Sequence, residues 1–570
     1  TVSVQTNNKL ELTGATTVTE NIPNGTEKLF TFNARASDKL GNATITVNAQ
    51  LNSESLSRAS TANVSVRPTT TYVTDVKFGE INSKHTTINK SDIKLYPDFA
   101  ASNLYISNGA PAMIVPLVKF LEEYEYPCSE QLVSRAIPYL TMPTNPIIGT
   151  TFDKSTAVLE DVINTLKNRQ NDDGSFAMWN GNSPYTNNIN PDTAYLTAYI
   201  VHFLTLAKDS GFYVPDQMFG RGIDFLRTYA GAPITDTAGA AAHAYAIYVI
   251  SLNDYVTTSY IDVFTEYANE NIDKWSEQLM GAYIAASYKL LRQDTLADDL
   301  ISKYKTSKTD KFTYTSAFNN NVANDAMYYY VLSKHFDTNR AYESDTIQSY
   351  ISGGNYSSYT SSVIILALSG TMATDNGVHA SDITVTINGQ DAILTQSNGM
   401  LYTHIENNPE QIEIICDTCS RDNKIFYTLI NQGYPLTAKR ESNGLEIIRE
   451  YYDANGNEIT SGKIGDTVTV KIFARTRGGT DYADNVVITD LLPGGFIADT
   501  QSVSGDMNFA EVREDRILIY ADLTRDDSIF TYTAQLGASG KFAIPAINAT
   551  AMNNPQINAT GDTGIFTVSE

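Results

Sequence analysis

A cysteine and a glutamine three residues apart, Cys128 and Gln131, stand in the stretch Tyr124-Glu-Tyr126-Pro127-Cys128-Ser-Glu130-Gln131. The stretch falls at a predicted break between two helices. At a helix start, residues i and i+3 share a face. A thiolate placed there can attack the Gln131 side-chain amide, expel ammonia and close an internal thioester. The product is an acyl group on a good leaving group, able to acylate an incoming amine. Cys128 is one of three cysteines in 570 residues, and the plainer role of a lone cysteine is that of a small buried hydrophobe. Glu130 has two readings, a first-turn acid favoured by the helix dipole or a group that orients the Gln131 amide. Tyr124 lies one helical turn before Cys128, where it either packs on its own helix or lies over the sulfur.

The other cysteines carry less chemistry. Cys416-Asp-Thr-Cys419 is a lone CxxC. Zinc would need two further ligands, and no His or Cys pair with suitable spacing follows. A redox CxxC opens a helix, whereas the flanks here, Ile412 to Ile415 and Ile425 to Leu429, read as strands. A local turn, closed by a disulfide in an oxidising compartment, is the expectation. No metal site and no cofactor are expected. The net charge of −24 argues against nucleic acid or an anionic membrane as partner. No run of 18 apolar residues exists to span a bilayer, and no signal peptide is visible. Thr1 enters directly on a strand-like run, so an internal or C-terminal piece of a longer protein is expected.

The elements that must position the pair change period twice. Single cores rarely exceed roughly 250–300 residues, so several domains are predicted. From Leu29 to Ala49 residues alternate as in strands, with Ala43, Ile45, Val47 and Ala49 on one face and Thr44, Thr46 and Asn48 on the other. Residues 69–108 remain strand-like. From about Ala110 to Met372 the period is helical, with helices predicted at 128–140, 152–169, 191–209, 216–229, 235–252, 257–269, 274–292, 294–304, 320–335 and 358–370. A long array of paired helices predicts a helical toroid or solenoid. After Asn376 strands return: Ile383, Val385 and Ile387 alternate before an Asn388-Gly389 turn, and an all-β block follows from about residue 424. The helical region is thus an insertion between two halves of a β region.

The stretch from Tyr124 to Gln131, followed by Ser134-Arg-Ala136, resembles the thioester motif of the bacterial α-2-macroglobulins, relatives of the complement thioester proteins. Pro127 stands directly before Cys128, where that family has a small residue. Gln170-Asn-Asp-Asp173-Gly174-Ser-Phe176, with Trp179 after it, and Pro191-Asp-Thr-Ala-Tyr195-Leu-Thr-Ala-Tyr199 are similar to family segments. So are Gly433-Tyr-Pro-Leu436 and Val487 through Phe496. The resemblance covers nearly the whole chain and implies its C-terminal part. It implies a multidomain fold: an N-terminally truncated macroglobulin-like β-sandwich (1–67), a CUB-type β-domain in two segments (68–108 and 377–423), an all-α α/α-toroid thioester domain inserted in it (109–376), and a terminal macroglobulin-like sandwich (424–570). It further implies a Met near the end of the terminal domain as partner of Tyr124 in shielding the thioester. Met552 is the matching residue, and the alternative is one more strand residue of that domain's core. His243 lies 115 residues after Cys128, about where some complement relatives keep an acyl-relaying His; inside an apolar helix it reads better as a satisfied core histidine.

The implied function is broad-spectrum endopeptidase inhibition in a defence resembling innate immunity, with a protease trapped and linked through its lysines to the Gln131 acyl group. The bait region would lie upstream. The implied setting is the periplasm, as an inner-membrane lipoprotein whose anchor lies outside this chain, or else extracellular; a monomer is expected, and not an enzyme. Three other readings compete, one of them a thioester-dead structural scaffold, against which the presence of both Cys128 and Gln131 argues. A toroid enzyme of terpene cyclase or prenyltransferase type needs facing acidic clusters or a zinc set, and Asp172-Asp173 has no partner run. A surface adhesin could use the same thioester to grip host surfaces.

Overall fold

The computed structural model describes residues 1–52, 56–124, 128–145, 148–179, 190–308, 312–338, 340–370, 378, 381–406, 409–417, 419 and 425–570. Glu125, Tyr126 and Pro127 of the cysteine motif lie outside the described residues. The first unit is a four-stranded sheet, ordered Thr17–Val18, Val2–Thr6, Gly41–Leu51, Leu56–Val66, with a two-stranded ribbon of Leu10–Thr13 and Asn33–Ala36. Leu40, Ala43 and Val66 make its small core, against which Tyr96 and Tyr434 pack.

The second β unit is built from both sides of the helical insertion. Its five-stranded sheet runs Thr395–Ser397, Met400–Ile405, Ala101–Asn108, Ile425–Gly433, Val73–Ile81, and its four-stranded sheet runs Gln390–Asp391, Ile383–Ile387, Gln411–Cys416, His85–Asn89. Ile425–Gly433, assigned from sequence to the terminal block that starts at 424, pairs antiparallel with both Ala101–Asn108 and Val73–Ile81. It is a central strand buried on both faces, which explains why its apolar residues fall at both parities. Ile425 and Leu429 face the sandwich core, while Phe426 and Ile430 face the helices. Cys416 and Cys419 form a disulfide.

Twelve helices occur among the described residues: α1 (Ala110–Glu123), α2 (Ser129–Thr141), α3 (Phe152–Asn168), α4 (Pro191–Asp209), α5 (Asp216–Ala230), α6 (Thr237–Leu252), α7 (Thr258–Asn271), α8 (Leu279–Leu290), α9 (Asp294–Ile301), α10 (Asn321–His335), α11 (Asp345–Gly353) and α12 (Ser358–Ser369). Several start where the sequence offers a capping side chain. Asn190, Asp236 and Asn320 each accept the backbone N–H three residues on, which satisfies a donor the helix leaves open. The predicted 274–292 helix is interrupted, because Lys274 is left-handed and Gln278 extended, giving a short 3-10 turn before α8. Sequence reading missed α11 and the hairpin of Tyr314–Ser316 with Asn319–Asn320.

The even-numbered helices close a ring. α2 packs on α4, α4 on α6, α6 on α8, α8 on α10, α10 on α12, and α12 on α2; the odd-numbered helices lie outside them. Inner helices such as α6 are apolar on all sides, as a doubly buried helix must be. Tyrosines fill the lumen. Tyr195 of α4 reaches across to Tyr283 of α8 (hydroxyls 3.3 Å apart) and to Tyr359 of α12 (3.2 Å), and Tyr245 stacks on Tyr283 with centroids 4.7 Å apart. Among the described residues no helix is long and apolar enough to cross a membrane.

The terminal unit is a sandwich of a six-stranded and a four-stranded sheet, with a further three-stranded sheet. Two of its strands are apolar at both parities. Val486, Ile488, Ile517 and Ile519 face the sandwich core, while Val487, Leu518 and Tyr520 face outward and form a second cluster with Met552 and Trp179. That second face is the dock for the helical domain.

Candidate functional site

Cys128 is the N-cap of α2, with extended backbone (φ −68°, ψ 162°), and Gln131 is its third helical residue. The two form a reciprocal capping box in which cysteine stands where serine or threonine usually does. The Cys128 N–H donates to Gln131 Oε1 at 3.3 Å, and the Gln131 backbone N–H faces the cysteine side chain. The i, i+3 spacing therefore brings the sulfur and the amide to one helix end. Cys128 is 3% and Gln131 1% exposed, so water is kept from both.

The amide nitrogen of Gln131 meets another domain. Its Nε2 donates to the sulfur of Met552 at 3.3 Å. Met552 lies just beyond the strand Ile547–Ala551 and outside the sandwich core, in the outward cluster with Val487, Leu518 and Tyr520. The structure thus brings Cys128, Gln131 and Met552 together. Tyr124 itself is not helical: it is the C-cap of α1, with extended backbone (φ −73°, ψ 108°). Its ring packs on Phe120, centroids 5.0 Å apart. Tyr124 and Met552 both line one cleft of about 680 Å³, which also touches the first unit at Leu40 and Arg67.

Glu130 does not reach Gln131 in the way considered from sequence. Its carboxylate accepts from the Ser134 hydroxyl at 2.6 Å and from the Ser358 hydroxyl at 2.8 Å, tying α2 to α12. Ser134 continues to Tyr199 (2.9 Å), and Tyr199 to Ser362 (2.7 Å). Burial pushes the Glu130 carboxyl from the ordinary 4.5 up to about 7, against the pull of the two serine donors. The native state therefore holds this proton to higher pH than the unfolded chain does, and stability falls as pH rises from about 4.5 through 7. The Glu130→Gln variant lacks this loss and is expected to gain up to about 3 kcal/mol on wild type across that window. Helical-domain denaturation midpoints at pH 4.5 and pH 8 read the difference; equal pH dependence in the two proteins would move the buried ionisation elsewhere.

Sequence reasoning missed the far side of the cysteine. Arg169, after the end of α3, donates to Ser129 Oγ at 3.2 Å and to the Met178 carbonyl at 3.3 Å. Ser129 N–H donates to the same carbonyl at 2.9 Å, and the Ser129 hydroxyl to Ala177 O at 2.6 Å. Burial pushes the Cys128 thiol well up, and the Glu130 charge adds to this; the Gln131 N–H and Arg169 pull the other way. The Gln170–Phe176 loop is a tight turn, and Asp173 is a turn residue that accepts from Ser175 N–H at 2.9 Å. Gly174 sits at φ +92°, where a Cβ would lie 2.2 Å from Arg221 O, so only glycine fits. His243 faces two backbone carbonyls, Gly239 O at 2.7 Å and Ala232 O at 3.2 Å, and burial holds it below its ordinary range, as a core histidine.

Comparison with known proteins bears on the family and the fold. Residues 444–556 match the bacterial alpha-2-macroglobulin MG10 domain. The chain is 30% identical to an alpha-2-macroglobulin of Rickettsia conorii over 587 residues, covering 95% of this chain and 30% of that one. It is 26% identical to an alpha-2-macroglobulin homolog of Yersinia pestis, covering 97% and 29%. The chain thus spans about 30% of the length of these curated relatives. In fold it matches native Escherichia coli alpha-2-macroglobulin from domain MG7 to the C-terminus, with TM-score 0.78, 19% identity, and coverage of 100% of this chain and 94% of that one. It also matches Salmonella alpha-2-macroglobulin reacted with methylamine, with TM-score 0.77, 19% identity, and coverage of 100% and 38%. By sequence and by fold, the chain belongs to the bacterial α-2-macroglobulin family and corresponds to its C-terminal part.

Proposed function

We propose that this chain is the reactive part of an endopeptidase inhibitor that traps an attacking protease and links it covalently through a Cys128–Gln131 thioester. What carries the proposal is the buried reciprocal cap of Cys128 and Gln131, closed from outside by Met552 of a separate domain. A reactive acyl group needs a dry resting state and a removable cover, and both requirements have named residues here. A protease lysine attacks Gln131 Cδ through its amine nitrogen; the Cys128 sulfur leaves, takes up the proton the amine releases, and a stable amide remains. At pH 7 only about one lysine in 2,500 is the free amine. Reaction therefore depends on proximity, where effective molarities on the order of 10⁵ M are attainable. The Arg169 guanidinium and the α2 N-terminus offset part of what burial and the Glu130 charge cost the departing sulfur as an anion. Tyrosine rings occupy the toroid lumen where a terpene cyclase or prenyltransferase would hold its substrate, which favours the inhibitor over the enzyme. The same reading takes the full-length protein as a monomer that meets proteases in the periplasm, as an inner-membrane lipoprotein, or outside the cell.

The test is capture. Full-length protein mixed with a serine endopeptidase is expected to give a denaturation-resistant conjugate through Gln131, and Cys128→Ala is expected to abolish it. Cys128→Ala should cost only about 1–2 kcal/mol of stability, because the side chain removed is small. A conjugate that persists in folded Cys128→Ala protein would overturn the proposal. Conjugation to surface glycans or host proteins with none to the protease would favour an adhesin.

A further inference from the structure

The residues after the Gln170–Phe176 turn present two opposite faces. Ala177 and Met178 hold the start of α2 through the Ser129 hydroxyl and N–H. The next residue, Trp179, faces the terminal sandwich. Its ring lies 4.8 Å from the Tyr520 ring, tilted 55°, and 5.3 Å from the Phe509 ring at 19°, nearly parallel. Phe509 and Tyr520 are register partners on adjacent strands of the six-stranded sheet, and their rings lie 5.7 Å apart. Trp179 therefore closes a three-ring contact across the domain boundary. It packs on the outward cluster of Val487, Leu518, Tyr520 and Met552, so the patch that receives the indole also delivers the methionine to Gln131.

We propose that Trp179 is the positioning residue that seats the terminal sandwich on the helical domain and so sets Met552 over Gln131. The division of labour follows from the side chains. Met552 is an unbranched thioether with three rotatable bonds, adaptable to what it covers and poor at fixing a register. An indole is rigid, large and wants one orientation against its aromatic neighbours. Tryptophans packed at the centre of an apolar patch dominate interfaces, with polar contacts at the rim. The rim contact here is the Tyr314 hydroxyl, which lies 2.9 Å and 3.0 Å from the two Asp484 carboxylate oxygens. Trp179 touches neither Cys128 nor Gln131 in any contact described, so its effect passes through the seating of the domain. The purpose given to the seat rests on the thioester reading; the seat itself does not.

A Gln131→Ala background separates the two. It cannot form a thioester, and Cys128 is then the free thiol, because Cys416 and Cys419 are bonded to each other. The rate at which an aromatic disulfide reagent labels Cys128 in the native protein reads how often the cover lifts. Adding Trp179→Ala is expected to raise that rate tenfold or more, and Trp179→Phe less than threefold. Phe509→Ala, on the other domain, should raise it too, and the Trp179→Ala/Phe509→Ala double variant should label no faster than the quicker single, as expected of two residues that share one contact. Labelling within twofold of the parent in both single variants, or fully multiplicative effects in the double, would overturn the proposal. Phe509→Ala leaves the helical domain's sequence untouched, so it decides the matter even if Trp179→Ala fails to fold. The chain has two tryptophans, and Trp275→Phe makes Trp179 the sole indole. Iodide quenching should then rise at least twofold on Phe509→Ala, and unchanged quenching counts against the seat. Absence of an ammonia deficit in wild-type protein would refute the thioester while leaving these readouts intact.

Discussion

Protein kept from amines throughout preparation is expected to be lighter than its sequence by one ammonia, and to gain one methylamine on Gln131 when treated. The expectation starts from the capping box. Cys128 and Gln131 share a helix end, are at most 3% exposed, and hold one another through reciprocal backbone contacts. Thioester closure exchanges the Gln131 amide nitrogen for the Cys128 sulfur with little movement of either backbone. Methylamine reverses the exchange, adding its nitrogen to Gln131 Cδ and returning the sulfur as a thiol. Cys416 and Cys419 are bonded, so thiol titration in denaturant should rise from none to one per chain. Denaturant is needed because burial keeps the Cys128 thiol well above its ordinary range and unreactive in the fold. Cys128→Ala and Gln131→Ala should each show neither the mass deficit nor the uptake. An undiminished mass, with one thiol already free before any amine is added, would sink the thioester.

The multidomain β fold with its inserted toroid was legible because period and composition shift together. The α4 helix shows why: Asn190-Pro191 supplies both a cap and a rigid first turn, and the sequence bounds of 191–209 coincide with the structure. The α11 helix was not legible. Nine residues leave little room for a periodic stripe, and packing on α10 and the second β unit sustains it. The strand Ile425–Gly433 was visible as a strand but was assigned to the wrong sheet, because an apolar run at both parities says that both faces are covered and not by what. The site divides in the same way. Cys128 and Gln131 were found through local chemistry that a helix start brings together. Arg169, Ala177 and Met178 were not, because they reach α2 only through the tertiary turn at Gly174. Two carry their contact in a backbone carbonyl, which no residue type announces. The dock did leave a trace, since Ile517-Leu-Ile-Tyr520 is apolar on both strand faces and a sandwich core uses only one.

Met552→Ala is expected to speed methylamine uptake roughly ten- to a hundredfold without any proteolytic cleavage. The Met552 side chain is 3% exposed and lies on the Gln131 amide from a domain that is not part of the toroid. Fully burying a methionine is worth about 1.5–3 kcal/mol. If amine reaches Gln131 only when the cover lifts, weakening closure by that amount raises the lifted fraction by the corresponding factor, since about 1.4 kcal/mol is tenfold. The effect should fall on rate alone, leaving the final extent of labelling at one per chain. Tyr124 enters differently. It stands past the end of α1, stacked on Phe120, and shares the cleft with Met552. Tyr124→Gly should therefore open the approach along that cleft and raise the rate by less than Met552→Ala does. The series belongs in full-length protein, followed by mass over time at fixed methylamine. Met552→Ala within twofold of wild type would mean that other residues keep the Gln131 carbonyl dry. Tyr124→Gly exceeding Met552→Ala would instead make the cleft wall, and not the terminal domain, the principal cover.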